Sequence, residues 1–336
     1  MMKRITLFTF MIIVAVLFLT ACGSDVGSET GDNGSETDVD MDNYPDGTVR
    51  LVVPYSAGGG TDTVGRAIAE YIDVDNESMI IANIEGSGGS IGTKEVVDES
   101  PDGQTLLIHS VTAAVSGYHT GLYDERVWKQ LKPVAALVSQ SGGIVVSADS
   151  EFETAEDLIE FAENNPNELS VGVPGIGGGG HIISAIFADS AGIDVNFVPF
   201  DGSADSRAAL AGGHIDVMSG FVSEFYDFIQ DGEFRMLAST GSERAEQLPD
   251  VPTFSELGID FVLNHRNGIY APADTPDEVI DYLNKRLQEV SENQEFIDLM
   301  NSLVTEVDYL NAEEFEAEME SLDSIIEPVG HLISGE

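Results

Sequence analysis

Cysteine is all but absent from this chain: one, Cys22, in 336 residues. A single thiol excludes an intrachain disulfide framework and any Cys-rich zinc or iron–sulfur site. Cations are scarce as well, 14 Lys+Arg against 60 Asp+Glu, for a formal charge of −46. Such a surface repels phosphate on nearly every face, which excludes a nucleic-acid binder and a basic patch for anionic lipid. The histidines show no H-x-x-x-H or H-E-x-x-H spacing and no D-x-D-x-D-G loop appears. No metal site is therefore expected. Acid runs such as Glu313-Glu314-Phe315-Glu316 read as a solvated helix face. What the chain does have is 42% hydrophobic residues, enough to bury a sizeable core, over a length that allows about two domains.

The longest apolar run, Ile5 to Leu19, follows Lys3 and Arg4 and ends on Leu19-Thr20-Ala21-Cys22. A basic start, an apolar stretch and small residues read as an export signal over residues 1–21. Its last four residues resemble the bacterial lipoprotein box, which makes Cys22 the lipid attachment site. The plainer alternative is a lone cysteine after an ordinary signal or anchor. Residues 22–43 are Gly, Ser, Asp, Glu and Asn with few apolar side chains. They are expected to form a flexible acidic tether with a reach of about 25 Å. The globular part starts near Tyr44 and is expected to work outside the cytoplasm, anchored to the cell membrane. Past Cys22 the lysines number four, Lys94, Lys129, Lys132 and Lys285. That acid excess resembles the surface of a protein from a high-salt habitat, where salt screens self-repulsion.

The globular part alternates short β-rich runs with helical patterns. Val49-Arg50-Leu51-Val52-Val53 is a strand, followed by a glycine turn and a helical pattern to Ile72. Met79 to Ile84 and Thr105 to His109 are further strands, with a helix at Ile91 to Val97 between them. Val134 to Leu137 and Gly143 to Val146 read as two separate strands. A second series repeats the plan: helix Thr154 to Asn164, strand Leu169 to Val173, glycine loop, helix His181 to Ala191. Strands at Val195 to Pro199, Ile215 to Met218, Arg235 to Ser239 and Gly268 to Ala271 follow, and Pro276 to Glu320 reads as helical. Strand–helix alternation implies an α/β fold with parallel sheets. Two such series imply two lobes with a ligand cleft between them.

Two glycine loops precede helix starts. Ala57-Gly58-Gly59-Gly60-Thr61-Asp62 offers backbone N–H groups at a helix N-terminus, with Thr61 and Asp62 as cap candidates. Pro174 to Gly180 followed by His181 repeats the device. Unpaired N–H groups and the helix dipole favour an anion there, and glycine lets the ligand approach the backbone. Either loop by itself could simply turn a strand into a helix. Amides and hydroxyls also explain how so acidic a chain could hold a carboxylate. Gly175-Ile176-Gly177-Gly178-Gly179-Gly180 satisfies G-x-G-x-x-G, but any run of four glycines does, so a nicotinamide cofactor is not expected. Gly88-Gly89-Ser90-Ile91-Gly92 satisfies G-x-S-x-G, yet Ser90 lies six residues past Ile84 rather than at a sharp strand–helix turn. A secreted serine esterase using Ser90, with a base among His181, His214 and His265, is the enzyme alternative.

Together these residues are familiar. Tyr44-Pro45, then Val49-Arg50-Leu51-Val52-Val53-Pro54-Tyr55-Ser56-Ala57-Gly58-Gly59-Gly60-Thr61-Asp62, resemble the opening of the substrate-binding proteins of tripartite tricarboxylate transporters, the Bug family. Gly86-Ser87-Gly88-Gly89-Ser90-Ile91-Gly92, Pro101-Asp102-Gly103-Gln104-Thr105, Val198-Pro199-Phe200-Asp201-Gly202, Leu210-Ala211-Gly212-Gly213-His214-Ile215-Asp216 and Leu248-Pro249-Asp250-Val251-Pro252 resemble its later signatures, in order. The resemblance implies a periplasmic-binding-protein-like (type II) fold, with residues 44–143 and 267–336 as lobe 1 and 144–266 as lobe 2. It implies a non-enzymatic protein, without cofactor or metal, expected to act as a monomer. The lobes would close on a small organic acid, often a di- or tricarboxylate, and present it to the large and small membrane subunits of a transporter. Tyr55, Ala57, Gly58, Gly59, Gly60, Thr61 and Asp62 would hold one carboxylate, together with Gly177, Gly178, Gly179, Gly180 and His181. Ser90, Ser110 and Thr112 would line lobe 1, and Asp201 lobe 2. A sensing subunit for a signalling partner is the other role such a protein could play. The four glycines at 177–180 depart from the hydroxyl-rich run usual in the family.

Overall fold

A computed structural model describes residues 39–75, 77–200 and 203–334. The signal at 1–21, Cys22, most of the tether and Asp201 lie outside the described residues. The first series comprises β1 (Val49–Val53), α1 (Gly60–Tyr71), β2 (Met79–Asn83), α2 (Ser90–Val97), β3 (Thr105–Ser110) and α3 (Val111–His119). Then come β4 (Leu131–Ser147), α4 (Ala155–Asn164), β5 (Ser170–Pro174), α5 (Gly179–Ala191), β6 (Asn196–Phe200) and α6 (Ser203–Ala211). β7 (Val217–Phe221), α7 (Val222–Gln230), β8 (Phe234–Ser239) and β9 (Asn264–Pro272) follow. The chain ends with α8 (Asp277–Ser291), α9 (Gln294–Ser302), β10 (Glu306–Leu310), α10 (Ala312–Ile326) and α11 (Gly330–Ile333).

The strands run β2-β1-β3-β9-β4-β7-β5-β6, with β8 and β10 also paired to β4. β1 is parallel to β2 and β3, and β5 is parallel to β6 and β7, as the two α/β series require. The expected pair of strands around residues 134–146 is one 17-residue strand, β4. Leu131 to Ser141 of β4 pair with β9, whereas Gly142 to Ser147 pair with β7 and β8. The partner changes at Gly142 and Gly143, where backbones crowd. A Cβ on Gly142 would meet Gly220 O at 2.8 Å, and one on Gly143 would meet Ala238 O at 2.5 Å. Glycine there reads locally as a strand breaker; only the neighbouring strands reveal it as a crossing point.

The helical reading of Pro276 to Glu320 needs correction, because β10 interrupts it and joins the edge of β4. Its alternating Val307 and Tyr309 pack on the core beneath β1–β3, a period of two hidden inside acidic sequence. α3 and α7 were not anticipated; each begins directly at the end of a strand, with no turn signal before it. Phe315, Met319 and Leu322 of α10 share one core cluster with Val111 and Val115 of α3 and with Ile182, Ile183 and Ile186 of α5. Helix α10 thus packs against both α/β series. No helix among the described residues is long and apolar enough to cross a membrane.

Candidate functional site

The backbones of the two glycine loops are built alike. Gly58 and Gly177 both take positive φ, 84° and 72°, which favours glycine. Gly59 and Gly178 are the N-caps of α1 and α5, with nearly equal backbone angles (φ −76°, ψ 169° and φ −72°, ψ 167°) and no side-chain cap bond. Each cap N–H donates to the carbonyl three residues back, Ser56 O at 3.4 Å and Gly175 O at 3.2 Å. The residue before each cap donates its N–H to the side chain four residues on. Gly58 N donates to Asp62 Oδ2 at 2.7 Å, and Gly177 N to His181 Nδ1 at 3.0 Å. By helix geometry the N–H groups of Gly60, Thr61 and Asp62, and of Gly179, Gly180 and His181, have no intrahelical partner.

The caps are therefore glycines, not Thr61 or Asp62. Asp62 braces the first loop from behind, 1% exposed. Its oxygens accept from Gly58 N, from Arg66 Nε at 2.8 Å and from Asn83 Nδ2 at 2.8 Å. The Arg66 hydrogen bond foremost, helped by Gly58 and Asn83 against the cost of burial, holds its carboxyl down at about 2. His181 does the same work in the second loop without a charge: burial keeps its pKa below the ordinary value. Because Nδ1 accepts from Gly177, the ring proton sits on Nε2, which is buried with no partner among the described residues.

Tyr55 ties the first loop to its neighbours. Its ring fills the space where Gly89 lacks a Cβ, 3.2 Å away, and its hydroxyl lies 3.4 Å from His109 Nδ1. Burial raises its pKa well above the usual phenol range. Ser90 opens α2 and is buried, with no histidine partner among the described residues. The serine that does meet a histidine is Ser110, the N-cap of α3, whose Oγ is 3.4 Å from His265 Nδ1. Thr112 is buried, and its hydroxyl has no partner among the described residues.

A cavity of about 460 Å³ opens on the first loop. Gly58 lines it from the loop before α1, Gly60, Thr61, Thr63 and Val64 from α1, Gln140 from β4, and His265 and Asn267 from β9, with Ser223 of α7, Leu303 and Thr305 beside them. Ala57, Gly59 and Asp62 adjoin those positions in the chain but do not line it. The second loop does not reach this cavity either. Phe221 stands between them: a Cβ on Gly179 would meet its ring at 2.5 Å, and the same ring packs on that of His265 with centroids 4.3 Å apart. Gly177 instead faces Thr120 and the carbonyl of Ile333. Gln140, Ser223, Asn267 and Phe221 escaped the sequence reading, and His265 entered it only as a candidate base for an esterase. The available signal was the polar start of β9, Asn264-His265-Arg266-Asn267, in an otherwise apolar strand.

The lining contains no Lys, Arg, Asp or Glu. Burial pushes His265 down to about 4, so at neutral pH it is uncharged as well. The site can hold and orient a polar molecule through amides, hydroxyls and a helix N-terminus. Two α/β series joined by antiparallel strands, with such a cavity beside the crossing, form a frame suited to holding a small solute rather than to chemistry on it.

Residues 66–327 match the family described as the tripartite tricarboxylate transporter family receptor, and the chain belongs to that family. Protein BugT of Bordetella pertussis is 27% identical over 272 residues, 79% of this chain and 82% of that protein. A TctC solute binding protein from Polaromonas, solved without ligand, is similar in structure with a TM-score of 0.77. It is 28% identical, and the match covers 87% of this chain and all of that one. An R. palustris protein solved with adipate matches with a TM-score of 0.69 at 26% identity, over 86% of this chain and 98% of that one.

Proposed function

We propose that this receptor captures a small organic carboxylate against the first turn of α1 and delivers it to the membrane subunits of a tripartite transporter. The observation that carries the reading is the cavity at Gly60 and Thr61, where the first turn of α1, with its unpaired N–H groups, borders a space whose lining carries no Lys, Arg, Asp or Glu. Backbone donors and the helix dipole attract a carboxylate without a lysine, which suits so acidic a chain. Ligand acids in the family, adipate in the R. palustris relative among them, support the class. Lobe 1 would comprise residues 44–143 and 267–336 and lobe 2 residues 144–266, with α10 and α11 packed against both. Closure would remove water from the captured acid and strengthen its hydrogen bonds. Cys22, lipidated, would hold the protein at the membrane through the tether at 22–43.

The test is thermal unfolding of the purified protein against a panel of mono-, di- and tricarboxylates. A ligand at 100 times its Kd adds about 2.7 kcal/mol, a rise of several degrees. Gly60→Val should abolish the rise while the variant still folds, because nothing lies within 4 Å of a Cβ there. No shift with any acid, in folded ligand-free protein, would refute capture of a carboxylate. For the anchor, Cys22→Ser should move the protein from the membrane fraction to the soluble one; unchanged partitioning would remove Cys22 from the proposal.

A further inference from the structure

Helix α9 ends in a way that its sequence argues against. The N–H of Val304 donates to Asn301 O at 3.1 Å and that of Thr305 to Met300 O at 3.1 Å. These paired bonds make a helix end that places one residue in the left-handed region, where glycine or asparagine is usual. Here that residue is Val304, at φ 54°. The other non-glycine positions with positive φ among the described residues are Asp75, Ser87 and Asn167, none of them branched with carbon at Cβ. A branched apolar side chain is the one least suited to this backbone. Strain of this kind persists only where the surroundings hold it in place.

The surroundings of Val304 belong to the other lobe. Its side chain, partly buried, packs against a core cluster that includes Val145, Leu210, Met218, Val222 and Phe225. Every other residue of that cluster lies between Val145 and Val251. The neighbours of Val304 in the chain border open space instead. Leu303 and Thr305 line the cavity at α1, together with Ser223 of α7. Asn301, Glu306 and Val307 line a second cavity of about 470 Å³, together with Gly241 to Glu246 after β8. Val304 lines neither; between the two spaces it is the solid contact of this turn with lobe 2.

We infer that Val304 is a positioning residue for closure, a clasp whose side chain joins the end of α9 to lobe 2. This rests on the division into lobes and on the carboxylate reading above. Glycine at this place would end the helix with less strain but would leave nothing to meet lobe 2. The hydrogen bonds of the turn lie within α9 and its own end, so the strain is present whether the lobes are open or closed. The contact with lobe 2 belongs to the closed form. It therefore adds to the preference of a bound ligand for that form. Contact and strain act on different quantities, affinity in the first case and fold stability in the second.

Variants of the full-length protein separate the two. Calorimetric titration with succinate, adipate and citrate reads affinity. Small-angle scattering with and without the same acids reads the separation of the lobes, and thermal unfolding reads the turn. Val304→Gly should bind the acid that wild type takes at least about fivefold more weakly, the scale of one partly buried valine. Its radius of gyration should exceed that of wild type by about 1 Å. Val304→Ala loses the same contact and keeps the strained backbone, so it should match Val304→Gly in affinity but unfold at a lower temperature. Val304→Ile keeps a branched side chain there and should match wild type. Affinity and radius in Val304→Gly equal to those of wild type would overturn the clasp and leave carboxylate capture standing. If none of the acids binds, the carboxylate reading is what loses support, and the ligand-free scattering curves decide the clasp by themselves: equal radii overturn it.

Discussion

At the scale of single residues, the first loop depends on a charge that does not line the cavity. Asp62 lies third in α1, where the helix dipole favours an acid, and it spends its oxygens on Gly58, Arg66 and Asn83. The second loop replaces it with neutral His181 in the equivalent place. Histidines kept neutral by burial recur around the cleft: burial holds His109 at about 4, with His265 adding to the effect, and His265 itself is at about 4. In the unfolded chain both titrate near 6.5. As pH falls the unfolded state takes up protons first. The stability these residues contribute is full above pH 6.5 and is lost progressively down to about pH 4. Each pKa unit corresponds to about 1.4 kcal/mol, so from pH 7.5 to 5 the wild type should lose about 2 kcal/mol more than His109→Gln. Urea unfolding of both proteins at the two pH values measures this, and equal losses would show that His109 is not held neutral in the fold. The carboxyl of Asp62 acts lower: its contribution is full above about 3.8 and is lost as pH falls through about 2.

At the scale of elements, β4 is the decisive piece. Seven side chains bring polar chemistry to the cavity from five places in the chain, and β4 and β9 set the spacing of three of them. The register pairs Gln140 with His265 and Ser141 with Asn264. Gln140 and His265 thereby share the face that looks toward α1, while the next pair looks the other way. The crossing at Gly142 and Gly143 is the weakest point for substitution. Gly143→Ala would push a methyl against Ala238 O at 2.5 Å and Met236 Sδ at 2.8 Å. Overpacking of this kind costs about 1–3 kcal/mol, or a fall of about 2–10 °C in Tm at this chain length. Calorimetry should show that loss for Gly143→Ala and almost none for Gly60→Ala, which has open space around it. An unchanged Tm in Gly143→Ala would mean that the two strands can move apart at no cost. The glycine loops were legible because their pattern is local: a strand, a turn needing positive φ and a helix start lie within about a dozen residues. β10 was not, because its five residues form a strand only where the edge of β4 is waiting to pair with them.

At the scale of the whole molecule, 60 acids against 14 cations oppose the compact state. Screening over about 3 Å at 1 M salt relieves much of that repulsion. The protein should therefore unfold at a markedly higher temperature in about 2 M KCl than in about 0.05 M. A Tm that stays flat or falls with salt would reject adaptation to a saline habitat. Composition, charge, the alternation of strands and helices and both glycine loops follow from the sequence by itself, because each rests on side-chain type or on backbone rules spanning a few residues. Tertiary structure alone decided that β4 is one strand with two sets of partners, that α10 packs against both α/β series and that Phe221 separates the two loops. It also decided that Gln140, Ser223, His265 and Asn267 share a single cavity. Those facts depend on which distant segments pair and in what register, and free energies of that kind arise only when the chain has closed on itself.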